Sequence, residues 1–186
     1  LLDYSTAVYY ILSTAEASTN LARFDGIRYG HRSSQANNLK DCYALSRQEG
    51  FGTEVKRRIL LGTFVLSAGY QDAFYKKAQK VRRLIINEFA SAFQNCDLIT
   101  FPSSITPAFK LGSIVDPLTL YKSDCCTISS NLAGLPAMSC PLGFSNDHHP
   151  LGLQFLGPQK SDVLVCQAAK AFQDLNPSHL EIPSLF

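Results

Sequence analysis

The stretch EGFGTEVKRRILLG, residues 49–62, decides how this chain is read. Gly50 and Gly52 bracket Phe51 and mark a turn. Thr53 is a natural helix N-cap, and Glu54 then lies in the first turn, where a negative charge suits the helix dipole. From Val55 to Leu66 the residues are almost continuously apolar, which predicts a helix over residues 53–67, buried on several sides and terminated by Gly69. Lys56, Arg57 and Arg58 break that pattern. Cations near a helix N-terminus oppose the dipole at a cost of about 0.3–1 kcal/mol each unless an anion is close by. Helical spacing puts Val55, Arg58, Ile59, Gly62 and Leu66 on one stripe. Two readings of Arg58 stand open. Its stem packs on apolar neighbours while the head reaches water, or its head holds an anion beside the helix N-terminus.

Working outward, residues 7–20 read as a helix capped by Ser5 or Thr6, with Val8, Ile11, Leu12 and Ala15 inward and one of Tyr9 and Tyr10 facing the interior. FDGIRYG (residues 24–30) is a glycine-punctuated loop with a turn at Asp25-Gly26, and residues 31–38 are polar and exposed. Asn38 is placed to cap a short helix over residues 39–48, which Gly50 ends. Beyond Gly69, Asp72 is expected to cap a long amphipathic helix carrying Phe74, Ala78, Val81, Leu84, Ile85, Phe89 and Phe93. Its five cations, Lys76, Lys77, Lys80, Arg82 and Arg83, form a solvated face in this reading. Residues 97–101 (DLITF) are a buried strand, and residues 102–117 a proline-containing loop. Ser123 or Asp124 caps a helix that ends before Gly134. Residues 137–140 and 151–156 are strands joined by residues 143–150, and Ser161 caps a last helix through Phe172. Helices dominate the first half and strands interleave later, so the class is α/β, in one domain spanning residues 1–186.

Composition narrows the function. A hydrophobic fraction of 46% with 17% charged residues is that of a globular protein. The formal charge of +2 is too small for nucleic-acid binding through a basic field. No apolar run spans a membrane and no signal-peptide pattern opens the chain, which predicts a soluble protein. The six cysteines form no CxxC pair and show no ligand spacing with the four histidines, so neither a metal site nor a disulfide framework is expected. That usage points to a reducing, cytoplasmic setting. Leu1 in place of methionine, followed at once by helical periodicity, is how a piece of a larger chain would look.

RQEGFGTEVKRRILLGTF (residues 47–64) resembles the amidase-signature family, and within it the A subunits of tRNA-dependent amidotransferases. The similarity extends through TAEASTNLARFDGIRYG (14–30), GYQDAFYKKAQKVR (69–82), DPLTLYKSD (116–124), NLAGLPAMSCPLG (131–143) and PLGLQFLG (150–157). The resemblance implies the C-terminal portion of the amidase-signature fold, a mixed β-sheet flanked by helices. That family cleaves amides with a Ser–cis-Ser–Lys device whose nucleophile lies in a glycine- and serine-rich stretch. Here Ser33-Ser34, Ser103-Ser104 and Ser129-Ser130 are the serine pairs, and none is followed by the required glycines. No catalytic residue is therefore expected in this chain, and the chain alone is expected to be inactive. The remaining role is to hold glutamine. By the resemblance, Arg58 takes the α-carboxylate, Asp124 the α-ammonium, and Tyr9, or Tyr10 one place on, lines the pocket. From the residues alone, Asp124 reads first as a helix cap. The resemblance further implies partner subunits B and C, aminoacyl-tRNA reached through the complex, and ATP with magnesium on a partner, with no cofactor in this chain. In that complex the released ammonia converts Glu-tRNA(Gln) or Asp-tRNA(Asn). An amidase for another small amide, and a non-catalytic interaction module, are the alternative functions.

Overall fold

A computed structural model describes residues 2–113 and 116–181. They form seven α-helices, a three-stranded sheet, three short 3-10 segments and one π-helical turn. The chain divides into two compact units, one of residues 7–80 and the other of residues 1–6 with 81–186.

The first unit is built on helices. α1 (Ser5–Asn20) enters it from residue 7, and α2 (Leu39–Gly50) and α3 (Thr53–Leu66) follow. Asn38 caps α2 as expected. Its Oδ1 accepts from the Asp41 backbone N–H at 2.9 Å, and its Nδ2 donates to Asp41 Oδ2 at 2.7 Å. Replacing Asn38 with alanine is expected to cost about 1 kcal/mol. An unchanged urea midpoint for the Asn38→Ala protein would count against that role.

In α3 the predicted stripe is the inward one. Val55, Arg58, Ile59 and Leu66 are half-buried and Gly62 is fully buried. Two expectations for this helix are corrected. Its N-cap is Gly52, without a side-chain bond, and Thr53 is already helical. The helix is also covered on one side only: Gly62 and Val65 are buried, while Leu60 is 71% exposed and Phe64 47%. A run of apolar letters shows no facing; the packing of Gly62 against α1 selects the buried side. At that contact, a Cβ on Gly62 would collide with the Thr14 carbonyl and come within 2.7 Å of Ser18 Oγ. Hydrogen there lets the two backbones touch.

α3 ends at Leu66, within one residue of the expected bound, and Ser67 Oγ donates to the Phe64 carbonyl there at 2.7 Å. The next segment, Gln71–Lys76, is π-helical and leads into α4 (Lys77–Ala92). Asp72 does not cap it; its carboxylate pairs with Lys76 Nζ at 2.6 Å, one helical turn on.

In the second unit, β1 (Ile99–Pro102), β2 (Ala137–Phe144) and β3 (Pro150–Leu156) form a sheet in the order β1-β3-β2. The α/β class and the helix-flanked sheet are as expected, but both pairings are antiparallel where a mixed sheet was expected. A connection as short as the turn after Phe144 can join only antiparallel neighbours. That turn is closed by Ser145 N–H donating to the His149 carbonyl at 2.8 Å. β2 runs further than the predicted residues 137–140, through an irregularity between Pro141 and Gly143.

Alternation along β3 sets the layers. Leu153 and Phe155 face a core with Cys140 of β2 and with Val165, Ala169 and Phe172 of α7 (Asp162–Leu175). Gln154, between them in sequence, is 4% exposed and donates to the Cys126 carbonyl of α6 (Cys125–Ala133) at 2.9 Å. Ser161 sits at the start of α7 but donates its hydroxyl to the Pro158 carbonyl instead of capping the helix. The five cations Lys76, Lys77, Lys80, Arg82 and Arg83 are exposed as expected, and Arg82 Nε also donates to the Leu132 carbonyl at 2.7 Å. α5 (Pro117–Lys122) follows, capped by Asp116. Of the loop expected at residues 102–117, residues 114–115 lie outside the described residues, as does Leu1.

Candidate functional site

In the first unit, Arg58 projects from the second turn of α3. Its Nε donates to Glu54 Oε1 at 3.2 Å, and Glu54 Oε2 takes Arg57 Nη1 at 2.8 Å. One carboxylate thus answers two of the three cations near the N-terminus of α3. Lys56 is answered by main chain, donating to the Gln48 carbonyl at the end of α2 at 2.6 Å. The Arg58 guanidinium carbon stands 5.8 Å from the centre of the Tyr10 ring, within cation–π range. Tyr9 meets Tyr10 edge-on, ring centres 5.2 Å apart. Arg58 is therefore steered from both sides: Glu54 engages Nε and Tyr10 lies under the plane. Its terminal nitrogens make no hydrogen bond among the described residues, so the planar fork that recognises a carboxylate is not committed within this unit. The Glu54 clamp was legible at i,i+4 spacing. Tyr10 under Arg58 carried no local signal, because 48 residues separate them.

The loop before α2 is fastened tightly. Gly26 adopts φ +78°, and a Cβ there would strike Ser46 Oγ. Asp25, 4% exposed, accepts from the backbone N–H groups of Ile27 and Arg28 at 2.8 and 3.0 Å. Arg47 of α2 donates to the Leu21 and Phe24 carbonyls at 2.8 and 3.1 Å. Glu49 accepts from Ser33 Oγ at 2.8 Å and meets His31 Nε2 at 2.6 Å. Two carboxyls are thereby held below the usual carboxylate range: Asp25 by the Arg28 and then the Ile27 backbone bonds, Glu49 by His31 and then Ser33. A carboxyl with a depressed folded-state pKa contributes its stability above the unfolded value and loses it as pH falls through the folded one. The loop is therefore expected to keep its amide-exchange protection at neutral pH and lose it below about pH 4, after correction for intrinsic rates. Asp25→Asn should flatten that profile. Protection unchanged far into acid in the natural sequence would rule the latch out.

In the second unit, Asp124 occupies the backbone N-cap position of α6, yet its side chain makes no cap bond. The first turn is secured without it. The Asp124 carbonyl accepts from the Thr127 and Ile128 N–H groups at 3.0 and 3.1 Å, and Gln154 grips the next carbonyl but one. Gly134, at φ +66°, closes the helix. Of the two readings of Asp124, the cap is the one its side chain does not perform. The carboxylate is exposed and has no partner among the described residues. Arg58 and Tyr9 belong to the first unit and Asp124 to the second.

Helices around this sheet, with this order of elements, define a class. The chain belongs to the amidase family, whose model matches residues 1–166. The structure of the A subunit of glutamyl-tRNA(Gln) amidotransferase from Thermotoga maritima is similar with a TM-score of 0.67 and 43% identity, over 95% of this chain and 33% of that one. A more distant amidase, 20% identical, has the same fold at a TM-score of 0.69, over 94% of this chain and 36% of the other. Among curated proteins, the glutamyl-tRNA(Gln) amidotransferase A subunit of Protochlamydia amoebophila is 60% identical across 100% of this chain. That of Bacillus cereus strain AH187 is 54% identical across 98%. The chain spans 38% of the length of each of these two relatives.

Proposed function

We propose that this chain is the substrate-holding part of an amidotransferase A subunit, which hydrolyses glutamine and delivers ammonia for tRNA-dependent amidation. Identity of 54–60% across essentially the whole chain to proteins of that name carries the reading. In it the Arg58 fork takes the α-carboxylate, Asp124 takes the α-ammonium, and Tyr9, or Tyr10 one place on, lines the pocket. The nucleophile and its lysine lie elsewhere in the complete amidase, so these 186 residues alone turn over no glutamine. Subunits B and C, aminoacyl-tRNA, and ATP with magnesium on a partner complete the reaction in the cytoplasm. Support for the two-ion pocket is chemical. A free amino acid needs one cation and one anion to receive it, and the chain offers an arginine with an uncommitted fork and a carboxylate left out of its helix cap.

The test uses the complete natural protein with Asp124→Asn. Its KM for glutamine should rise at least about tenfold, corresponding to the loss of one charge-assisted bond of about 1.5–3 kcal/mol. The natural preference for glutamine over its analogue lacking the α-amine should shrink in parallel. A variant that keeps that preference would exclude Asp124 from the ammonium site.

A further inference from the structure

Cys125 and Cys126 open α6, and their sulfurs lie 3.9 Å apart. Neighbouring positions on a helix do not normally face one another, so this approach is a property of the site. Both thiols are half-buried, and the remaining cysteines are also unpaired: Cys42 and Cys140 are buried, Cys96 and Cys166 exposed. The turn that carries the pair is fixed from two directions. Gln154 of β3 donates to the Cys126 carbonyl at 2.9 Å, and Thr127 Oγ1 donates to the Asp124 carbonyl at 3.0 Å.

A sulfur pair held at this distance is poorly suited to a disulfide. The α-carbons of adjacent residues are about 3.8 Å apart across a trans peptide, short of the roughly 4.4–6.8 Å a disulfide spans. The separation does suit chelation. Two thiolates at about 2.3 Å from one tetrahedral centre lie about 3.8 Å from each other. A zinc ion would need further ligands, and among the described residues no group of three or more His, Cys, Asp or Glu side chains is placed to hold a metal. A trivalent organoarsenical brings its own third substituent and needs only two sulfurs. Arsenic is pyramidal, with sulfur bonds of similar length, so it asks for a slightly shorter span, within reach of a small χ1 adjustment.

We infer that Cys125 and Cys126 form a vicinal dithiol site that captures trivalent arsenicals as a cyclic dithioarsinite. With phenylarsine oxide the balance is closed. Two arsenic–sulfur bonds form, both S–H bonds break, and the two protons leave with the oxide oxygen as water. No oxidation state changes. Burial, with the neighbouring thiol, pushes the Cys126 thiol above its ordinary value, which makes it a slow target for reagents that need a free thiolate. This site stands on its own geometry and does not depend on the glutamine reading.

The experiment treats the complete, folded natural protein with one equivalent of phenylarsine oxide, then with excess 2-mercaptoethanol, and maps the adduct by peptide mass. An adduct spanning residues 125–126 should resist the monothiol about 10²–10⁴-fold longer than any adduct on a single cysteine, the usual gain from two linked bonds. The dithiol 2,3-dimercaptopropanol should remove it. Cys125→Ser and Cys126→Ser should each abolish the resistant adduct, with Cys125→Ala and Cys126→Ala as second variants where serine disturbs folding. Cys96→Ser and Cys166→Ser should leave it intact. Resistant adduct persisting in both the Cys125 and Cys126 variants overturns the inference. So does stripping of the natural protein's adduct at the single-cysteine rate.

Discussion

Replacing Arg58 with alanine in the complete natural protein is expected to raise the KM for glutamine by about 30-fold or more. Truncating one partner of a hydrogen-bonded charge pair that becomes buried costs about 2–5 kcal/mol, much of it from leaving the other charge unpaired. The proposed partner is the glutamine carboxylate. Arg58→Lys separates charge from shape: lysine keeps the cation but loses the planar fork, so its KM should fall between the natural and the alanine values. Glu54→Gln tests the clamp. Its carboxylate holds both Arg57 and Arg58, and without it the fork loses orientation while the charge remains. Melting curves run beside the kinetics separate binding from folding, since Arg58 also lies against Tyr10. Natural kinetics in Arg58→Ala at an unchanged melting temperature would remove Arg58 from the pocket.

The second large effect is on stability. Gly62→Ala places a methyl group where the Thr14 carbonyl stands, with Ser18 Oγ close by. Backbone cannot rotate aside as a flexible side chain can, so α1 and α3 must separate. Overpacking costs about 1–3 kcal/mol, and a collision with main chain belongs at the upper end. Alanine returns about 1 kcal/mol of helix propensity over glycine. The net loss expected is about 2 kcal/mol, a fall of roughly 4–8 °C in Tm for a protein of this size. Gly62→Val, larger and β-branched, should lose more. Gly52→Ala serves as the control, because its added Cβ would meet nothing within 4 Å. If Gly62→Ala melts at or above the natural protein, the close contact between α1 and α3 is wrong.

The local features of this chain were legible because local chemistry writes them. Asn38 before an amphipathic run predicts a capped helix, and the glycine-punctuated FDGIRYG predicts a turn at Gly26; both are present. The Val55–Arg58–Ile59–Gly62 stripe follows from 3.6 residues per turn and is the inward face of α3. Facing and partnership were not legible. Leu60 and Phe64 look as apolar as Val65 in the sequence, and only the contact through Gly62 decides which of them is covered. Asp72 carries a charge that the pattern assigns to a cap, and a lysine one turn on claims it instead; Arg82 is exposed as expected, but the carbonyl it reaches lies 50 residues away. Asp124 has a capping residue's position without a capping residue's bond, a distinction that depends on side-chain direction alone.

By itself, then, the sequence determined the helices, the turn chemistry, the α/β class and the amidase resemblance, since each depends on neighbours within a few residues or on motifs read in line. Tertiary structure decided which face of α3 is buried, that both strand pairings are antiparallel, that Tyr10 underlies Arg58, and that Gln154 holds the start of α6. The reason is that hydrogen bonds and close packing between residues tens of positions apart leave no periodic trace in a single chain of letters.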